Sequence, residues 1–220
     1  MSDGPRADTA AAIGRAAQGG ELGAAVTALG EAFSFEAVLA EVQRQASAAD
    51  LVRSGEKVFV TVGRLSPEKN HERLLRAFAQ VHAEAQDTRL VIIGGGPLGT
   101  ELAALAGSLG IARAVTFTGV LSNPYGVMAE SDCFVMSSDY EGQPIVILEA
   151  RVLGLPVLTT RFGSAESAME GSDGLIVERS VDALAEGMRA YLRGETGARR
   201  LDPAQYNAEV VEEFRRAVLG

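Results

Sequence analysis

The stretch "KVFVTVGRLSPEKNHERLLRAFAQVHAEAQDTRLVIIGG", residues 57–95, decides the fold class. Short runs rich in Val and Ile stand at both of its ends, and the segment between them carries Leu74, Leu75, Phe78 and Val81 at helical spacing. Strands that are apolar almost throughout are typical of a sheet covered on both faces. The stretch therefore predicts one strand–helix–strand unit of a parallel α/β sheet.

The alternation of strands and helices continues along the chain. Strands are predicted at residues 57–63, 89–95, 114–119, 132–138, 155–160 and 174–177. A helix in "TELAALAGSLG" is predicted to stop at Gly110. We therefore predict an α/β fold, a Rossmann-like doubly wound parallel sheet of about six strands, in which ligands bind beyond the carboxyl ends of the strands.

The segments on either side of the sheet differ from it in composition. Residues 1–54 are rich in Ala and Gly and carry an apolar stripe at helical spacing, which predicts an N-terminal helical arm or linker. The sheet domain is predicted to span residues 55–200. Residues 201–220 are predicted to form an amphipathic C-terminal helix.

Composition and charge exclude several classes of function. The chain holds 20 Lys and Arg against 29 Asp and Glu, and its net charge of −9 argues against nucleic acid or an anionic membrane surface as the main partner. No apolar run approaches the ~20 residues that span a membrane, and the first residues lack the pattern of a secretion signal, so we expect a cytoplasmic protein. The single cysteine, Cys133, lies in the apolar run "CFVM" and is interpreted as a buried thiol.

Two cations follow the first strand. In "GRLSPEKN", Gly63 allows a tight turn, and Arg64 and Lys69 precede a helix that begins near Asn70. Cations beside a helix N-terminus, where backbone N–H groups are free, suit a diphosphate. The alternative is a solvated loop with two ordinary surface charges.

The loop after the second strand is rich in glycine. "GGGPLG" places Gly94, Gly96 and Gly99 at the spacing of a dinucleotide fingerprint. That fingerprint belongs to the first strand–helix turn and needs a carboxylate at the end of the next strand, which "TFTGV" lacks. We interpret the glycines as turn formers that let the backbone approach a ligand or a neighbouring loop. An NAD(P)-type dinucleotide-binding enzyme is the alternative.

The fourth strand leads into "DYEGQPIVILEA", residues 139–150, with Glu141 before an apolar helix and Glu149 within it. Pro144 suits the first turn of that helix, which is predicted to begin there. The carboxylate of Glu149 can accept hydrogen bonds from the vicinal hydroxyls of a ribose. Together with the two cations, these carboxylates describe a site for a sugar-diphosphate-nucleoside. The alternative is that Glu141 is a helix-start charge and Glu149 a solvated surface residue.

Four segments, "GRLSPEKN", "GGGP", "FTGVL" and "EGQPIVILEA", in this order and at this spacing, resemble the carboxyl-terminal, nucleotide-sugar-binding domain of the retaining GT-B glycosyltransferases of family 4. The resemblance covers about residues 33–218, and "NPYGVMAESDCFVMSSDYEGQP" is most similar to the branch that acts on bacterial wall or capsule polymers. It implies a hexosyltransferase-type enzyme with a UDP- or GDP-sugar donor and a glycan, lipid-linked or polymer acceptor. It implies no cofactor and no metal.

The resemblance also implies roles for single residues. Arg64 and Lys69 would bind the donor diphosphate and stabilise it as it leaves, Glu141 would contact the transferred sugar, and Glu149 would hold the ribose. These three groups nearest the reacting bond, the two cations and Glu141, are the candidate catalytic residues. The other contacts with the base, the sugar and the phosphates would come from Gly63, Leu121 and the amides of Gly142 and Leu148.

Members of this family have a second, amino-terminal Rossmann-like domain that supplies the acceptor pocket, whereas here the helical arm of residues 1–54 stands in its place. We therefore expect the chain alone to be incomplete for catalysis and to need such a domain or a second copy of itself. A non-catalytic binding or assembly module on the same fold is a further alternative. His71 is interpreted as a capping or surface residue.

Overall fold

A computed structural model of the chain describes residues 55–202 and residue 204. The predicted helical arm of residues 1–54 and nearly all of the predicted helix of residues 201–220 lie outside these residues. Both therefore stay predictions. None of the helices in the described part of the chain is long and apolar enough to cross a membrane.

The described residues form one parallel sheet with helices on both faces. Its strands are β1 (Lys57–Val62), β2 (Thr88–Ile93), β3 (Val115–Gly119), β4 (Cys133–Met136), β5 (Val157–Thr160) and β6 (Leu175–Val177). The helices are α1 (His71–Glu84), α2 (Gly99–Ser108), α3 (Tyr125–Glu130), α4 (Ile145–Leu153), α5 (Ala165–Met169) and α6 (Val181–Leu192). The predicted α/β fold is confirmed, and each predicted strand is present with bounds within two residues of those expected.

The prediction that a helix begins at Pro144 is wrong by one residue. Pro144 has φ −81° and ψ 66°, which is outside the helical region, and it occupies the N-cap position of α4. The helix begins at Ile145. Residues 137–144 therefore form the loop that connects β4 to α4.

The core lies in two layers because successive strand residues face opposite sides of the sheet. On one face, buried side chains of the strands pack with α1, α2 and α6, including Phe59, Leu74, Phe78, Leu102 and Leu184. On the other face, strand residues pack with α3, α4 and α5, including Val58, Val60, Val127, Ile147 and Ala165. Burial on both faces explains why the strands read as nearly continuous apolar runs.

The sheet has a topological switch point at β1. The strand order is β3-β2-β1-β4-β5-β6, so β1 pairs with β2 on one side and with β4 on the other. The loops that follow β1 and β4 diverge at the carboxyl edge, and such a crevice is where ligands bind in open α/β sheets. These loops, residues 63–70 and residues 137–144, hold both candidate cations and the first candidate glutamate.

Candidate functional site

Lys69 and Glu141 meet at the crevice between the two loops. The Nζ atom of Lys69 lies 2.7 Å from Oε1 and 2.8 Å from Oε2 of Glu141. The side chains are 23% and 8% exposed, respectively, so the ion pair is largely removed from water. Because an ammonium group carries three N–H donors, this arrangement still leaves one of them for a ligand.

The glycine-rich loop after β2 supports the loop after β1 through its backbone. The N–H of Leu65 donates to the carbonyl of Gly95 at 2.9 Å. A Cβ atom on Gly94 would lie 1.9 Å from the carbonyl oxygen of Gly63, and one on Gly96 would lie 2.4 Å from that of Leu65. The glycines therefore let the loops after β1 and β2 touch. This agrees with their interpretation as turn formers that let the backbone approach a neighbouring loop.

A hydrogen-bonded network fastens the loop after β4 to the start of α1. Asp139 accepts from Nη2 of Arg73 at 2.6 Å and from Nδ2 of Asn70 at 2.8 Å, and its N–H donates to the carbonyl of Glu68 at 2.8 Å. Burial alone would raise the pKa of Asp139, but the bonds from Asn70 and Arg73 and the positive charge of Arg73 outweigh it and lower that pKa. The loop of the two cations is thus locked to the loop of Glu141.

The sequence did not lead us to predict a role for the side chains of Asp139, Arg73 and Asn70. The available signal was the position of Asp139, a carboxylate in the short loop between β4 and α4 at the edge where ligands bind. Asn70 is the single non-glycine residue with positive φ, 46°, within the described part of the chain. Its left-handed backbone turns the chain from the Pro67–Lys69 3₁₀ turn into α1.

Glu149 lies two turns along the segment from Glu141 and has a partner of its own. It is half-buried on α4, and its Oε1 accepts from the hydroxyl of Tyr125, the first residue of α3, at 2.8 Å. This hydrogen bond raises the pKa of Tyr125. Since a carboxylate has about four acceptor positions, Glu149 can still accept from the hydroxyls of a ligand.

The other predicted site residues differ in how closely they approach Lys69 and Glu141. A Cβ atom on Gly63 would lie 3.8 Å from Cδ of Lys69, so that residue lies close against the lysine side chain. Arg64 is exposed; its carbonyl oxygen accepts from the N–H of Ser66 at 2.9 Å, while its guanidinium forms no hydrogen bond or ion pair within the described residues. Gly142 is exposed, and two half-buried residues complete the set, Leu121 and Leu148.

The interpretation of His71 as a capping or surface residue is wrong. The side chain of Asn70 caps α1, and His71 is 2% exposed, with an Nδ1 atom that has no hydrogen-bond partner within the described residues. Burial, with a smaller contribution from the charge of Lys69, lowers the pKa of His71 to about 4. Its place on the apolar stripe, three and four residues before Leu74 and Leu75, was the signal for its burial.

Thiol and metal chemistry find no support in the described part of the chain. Cys133 is buried, as predicted, and burial raises the pKa of its thiol. No group of three or more His, Cys, Asp or Glu side chains among the residues described could hold a metal ion.

Comparison with known proteins identifies the family. The family described as "Glycosyl transferases group 1" matches residues 42–209, which is most of the chain. The chain belongs to this family. A similar group 1 glycosyltransferase is the GDP-mannose-dependent alpha-(1-6)-phosphatidylinositol monomannoside mannosyltransferase of Mycolicibacterium smegmatis, which is 37% identical over an alignment covering 58% of this chain and 36% of that protein.

Solved structures of glycosyltransferases share the fold of this group 1 domain. WaaG, a glycosyltransferase involved in lipopolysaccharide biosynthesis, aligns with a TM-score of 0.60 and 27% identity, covering 64% of this chain and 39% of WaaG. HepE of Anabaena, solved in complex with UDP and glucose, aligns with a TM-score of 0.62 and 22% identity, covering 84% of this chain and 53% of HepE. The predicted family and Rossmann-like GT-B fold are confirmed, and the chain spans about a third to about a half of these proteins.

Proposed function

We propose that this chain is the donor-binding part of a retaining glycosyltransferase and that it binds a UDP- or GDP-sugar in the crevice between β1 and β4. The observation that carries the proposal is the Lys69–Glu141 pair, which places a cation and a carboxylate together at the switch point of the sheet. A diphosphate needs the cation, and a sugar hydroxyl needs the carboxylate. The GDP-mannose dependence of the mycobacterial relative and the UDP bound to HepE support a nucleotide sugar as the donor.

Each residue then has a task in the transfer. The bond between the anomeric carbon and the phosphate oxygen breaks, and the nucleoside diphosphate leaves with its electron pair. Arg64 and Lys69 stabilise the negative charge that develops on the leaving oxygen. The acceptor hydroxyl forms the new bond on the same face of the sugar and passes its proton to the departing diphosphate. Glu141 orients the sugar. Because the departing diphosphate takes the proton of the acceptor, no residue of this chain is assigned as a base.

The nucleoside is placed by Glu149, in the middle of α4. Glu149 lies eight residues after Glu141, and its carboxylate accepts from the ribose hydroxyls beside the bond that it accepts from Tyr125. The half-buried Leu121 borders the base, and the amides of Gly142 and Leu148 bond the sugar or a phosphate. No cofactor or metal takes part, and the acceptor is a glycan, a lipid-linked sugar or a polymer handled in the cytoplasm.

The structure disfavours a dinucleotide-dependent enzyme. The glycines that match the dinucleotide fingerprint follow β2, and the space beside Gly94 and Gly96 is occupied by the backbone of residues 63–65. In addition, β3 ends at Gly119 and is followed by Val120, so the carboxylate that would hold an adenosine ribose is missing there.

A calorimetric titration with a panel of nucleotides tests the proposal. The purified chain is titrated with UDP, GDP, UDP-glucose, GDP-mannose, NAD⁺ and NADP⁺ under the same conditions. We expect saturable binding of one nucleoside diphosphate and of its sugar, and none of either dinucleotide. Binding of NAD⁺ or NADP⁺ in place of UDP and GDP would contradict the proposal.

A further inference from the structure

A buried serine stands behind the Lys69–Glu141 pair. The hydroxyl of Ser138 donates to Oε1 of Glu141 at 2.5 Å. Ser138 is 1% exposed, so it bonds to the carboxylate from the interior of the protein and is itself out of reach of a ligand. Glu141 therefore has one partner in the crevice and one in the core.

The position of Ser138 is fixed by the neighbouring strand. Thr160, the last residue of β5, is fully buried, and its Oγ1 donates to the carbonyl oxygen of Ser138 at 2.6 Å. The adjacent Ser137 donates its hydroxyl to the carbonyl oxygen of Lys69 at 2.9 Å. The two serines after β4 thus tie the end of β5 and the loop after β1 to one short segment.

We propose that Ser138, anchored by Thr160, is a positioning residue that holds the Glu141 carboxylate in the orientation needed to contact the donor sugar. This inference rests on the proposed function. A glutamate has several rotatable side-chain bonds, and contacts to a bound group are strongest when the orientation exists before binding. Lys69 cannot supply that orientation alone, because its own side chain is long and flexible. The Ser138 side chain is much shorter than that of Lys69, so its hydroxyl stays close to the backbone and restricts the Glu141 carboxylate more.

The inference separates two affinities. Because Ser138 is proposed to act through Glu141, and Glu141 contacts the sugar of the donor but not its nucleotide, loss of the serine hydroxyl should leave the affinity for the free nucleotide nearly unchanged. Ser138→Ala should therefore keep the dissociation constant for free UDP or GDP within about twofold while weakening the binding of the corresponding nucleotide sugar about five- to tenfold. This is less than the loss of a direct hydrogen bond to a charged group, because the serine acts through Glu141. Thr160→Val should act in the same direction with a smaller effect.

Thr159→Val is the matched control. Thr159 precedes Thr160 on β5, is equally buried, and donates its hydroxyl to the carbonyl oxygen of Thr160 at 3.2 Å rather than to Ser138 or Glu141. It removes a buried hydroxyl of the same kind from the same strand. Both affinities of the control should match those of the wild type.

Calorimetric titration of the wild type and the three variants with free nucleotide and nucleotide sugar tests this inference. Urea unfolding of the same proteins, and of Glu141→Ala with and without Ser138→Ala, accompanies it. Selective loss of nucleotide-sugar affinity in Ser138→Ala, and a stability loss that shrinks when Glu141→Ala is already present, are the expected results. If Ser138→Ala does not fold, Thr160→Val carries the comparison. If Ser138→Ala weakens both ligands equally, or neither, this inference is overturned. The proposed function still stands in that case, provided that the wild type binds the nucleotide. A wild type that binds no nucleotide would overturn both.

Discussion

Lys69 and Glu141 lie 72 residues apart in the sequence and form an ion pair in which the lysine ammonium contacts both carboxylate oxygens. The pair joins the loops after β1 and β4, the two strands at the switch point of the sheet. Both residues have a proposed task in donor binding, and each already has the other as a partner. Under the proposed function, phosphate oxygens and a sugar hydroxyl would share or replace the contacts of the pair when the donor binds.

Glu141→Gln should separate the two parts of the donor. The amide removes the negative charge that competes with phosphate for Lys69, so free UDP or GDP should bind as tightly as before or more tightly. The contact to the sugar hydroxyl is weakened, so the ratio of nucleotide-sugar affinity to free-nucleotide affinity should fall about tenfold. Calorimetry with both ligands measures this ratio. An equal loss of affinity for the two ligands would contradict the assignment of Glu141 to the sugar.

Glu149→Ala should weaken the free nucleotide and the nucleotide sugar by the same factor, about five- to tenfold, because the ribose is common to both. Tyr125→Phe, which removes only the hydrogen bond to Glu149, should have a smaller effect of the same kind. Glu130→Ala, an exposed carboxylate at the end of α3, is the control and should bind normally. Lower thermal stability without any change in affinity would show that Glu149 is structural.

Gly94→Ala should destabilise the domain by about 2 kcal/mol or more, because the new Cβ would meet the carbonyl oxygen of Gly63 and the glycine has φ +145°. Gly107→Ala is the matched control, since a Cβ on that residue of α2 meets nothing within 4 Å. It should stabilise the domain by about 0.5 kcal/mol through helix propensity. Urea unfolding of both variants measures the difference. Equal stabilities would mean that the two loops do not touch as described.

The fold could be predicted because it depends on local patterns. Apolar runs such as "VFVTV" and "LVII" mark strands covered on both faces, and the stripe from Leu74 to Val81 marks a helix, so each element is specified by neighbouring residues. The carboxyl edge of the sheet follows from the parallel strands. The loops with Lys69 and Glu141 could therefore be assigned to one edge without any knowledge of their contacts.

The contacts within the site could not be predicted, because they join loops whose relative register is not encoded locally. Nothing near Asp139 in the sequence indicates that Arg73 and Asn70 are its partners, and nothing near Glu149 indicates Tyr125. Burial of His71 was missed for another reason. A polar residue at a helix start suggests a cap, but the cap of α1 is Asn70, which has a left-handed backbone conformation.

His71 should make the stability of the domain depend on pH. Its folded-state pKa of about 4 lies below the usual 6.5, so between these values the unfolded chain binds a proton that the folded chain does not. Stability is therefore full above about pH 6.5 and is lost as the pH falls towards 4, by about 2 kcal/mol between pH 7 and pH 5. Urea unfolding of the wild type and His71→Leu at pH 7, 6 and 5 isolates this loss, since the other titrating groups are common to both. Parallel pH profiles would contradict it.

The central claim, that the donor diphosphate lies at the switch point, is tested most directly by titrating Arg64→Ala with UDP and GDP. The side chain of Arg64 is exposed and its guanidinium bonds to no other described residue, so truncating it should not change stability. Lys57→Ala is the control. Lys57 is also a cation, but it lies at the opposite end of β1 from the crevice, where it pairs with Asp132 at 3.0 Å. We predict that Arg64→Ala weakens the nucleoside diphosphate about tenfold or more and that Lys57→Ala leaves it unchanged. The same affinity in both variants and the wild type would contradict the claim.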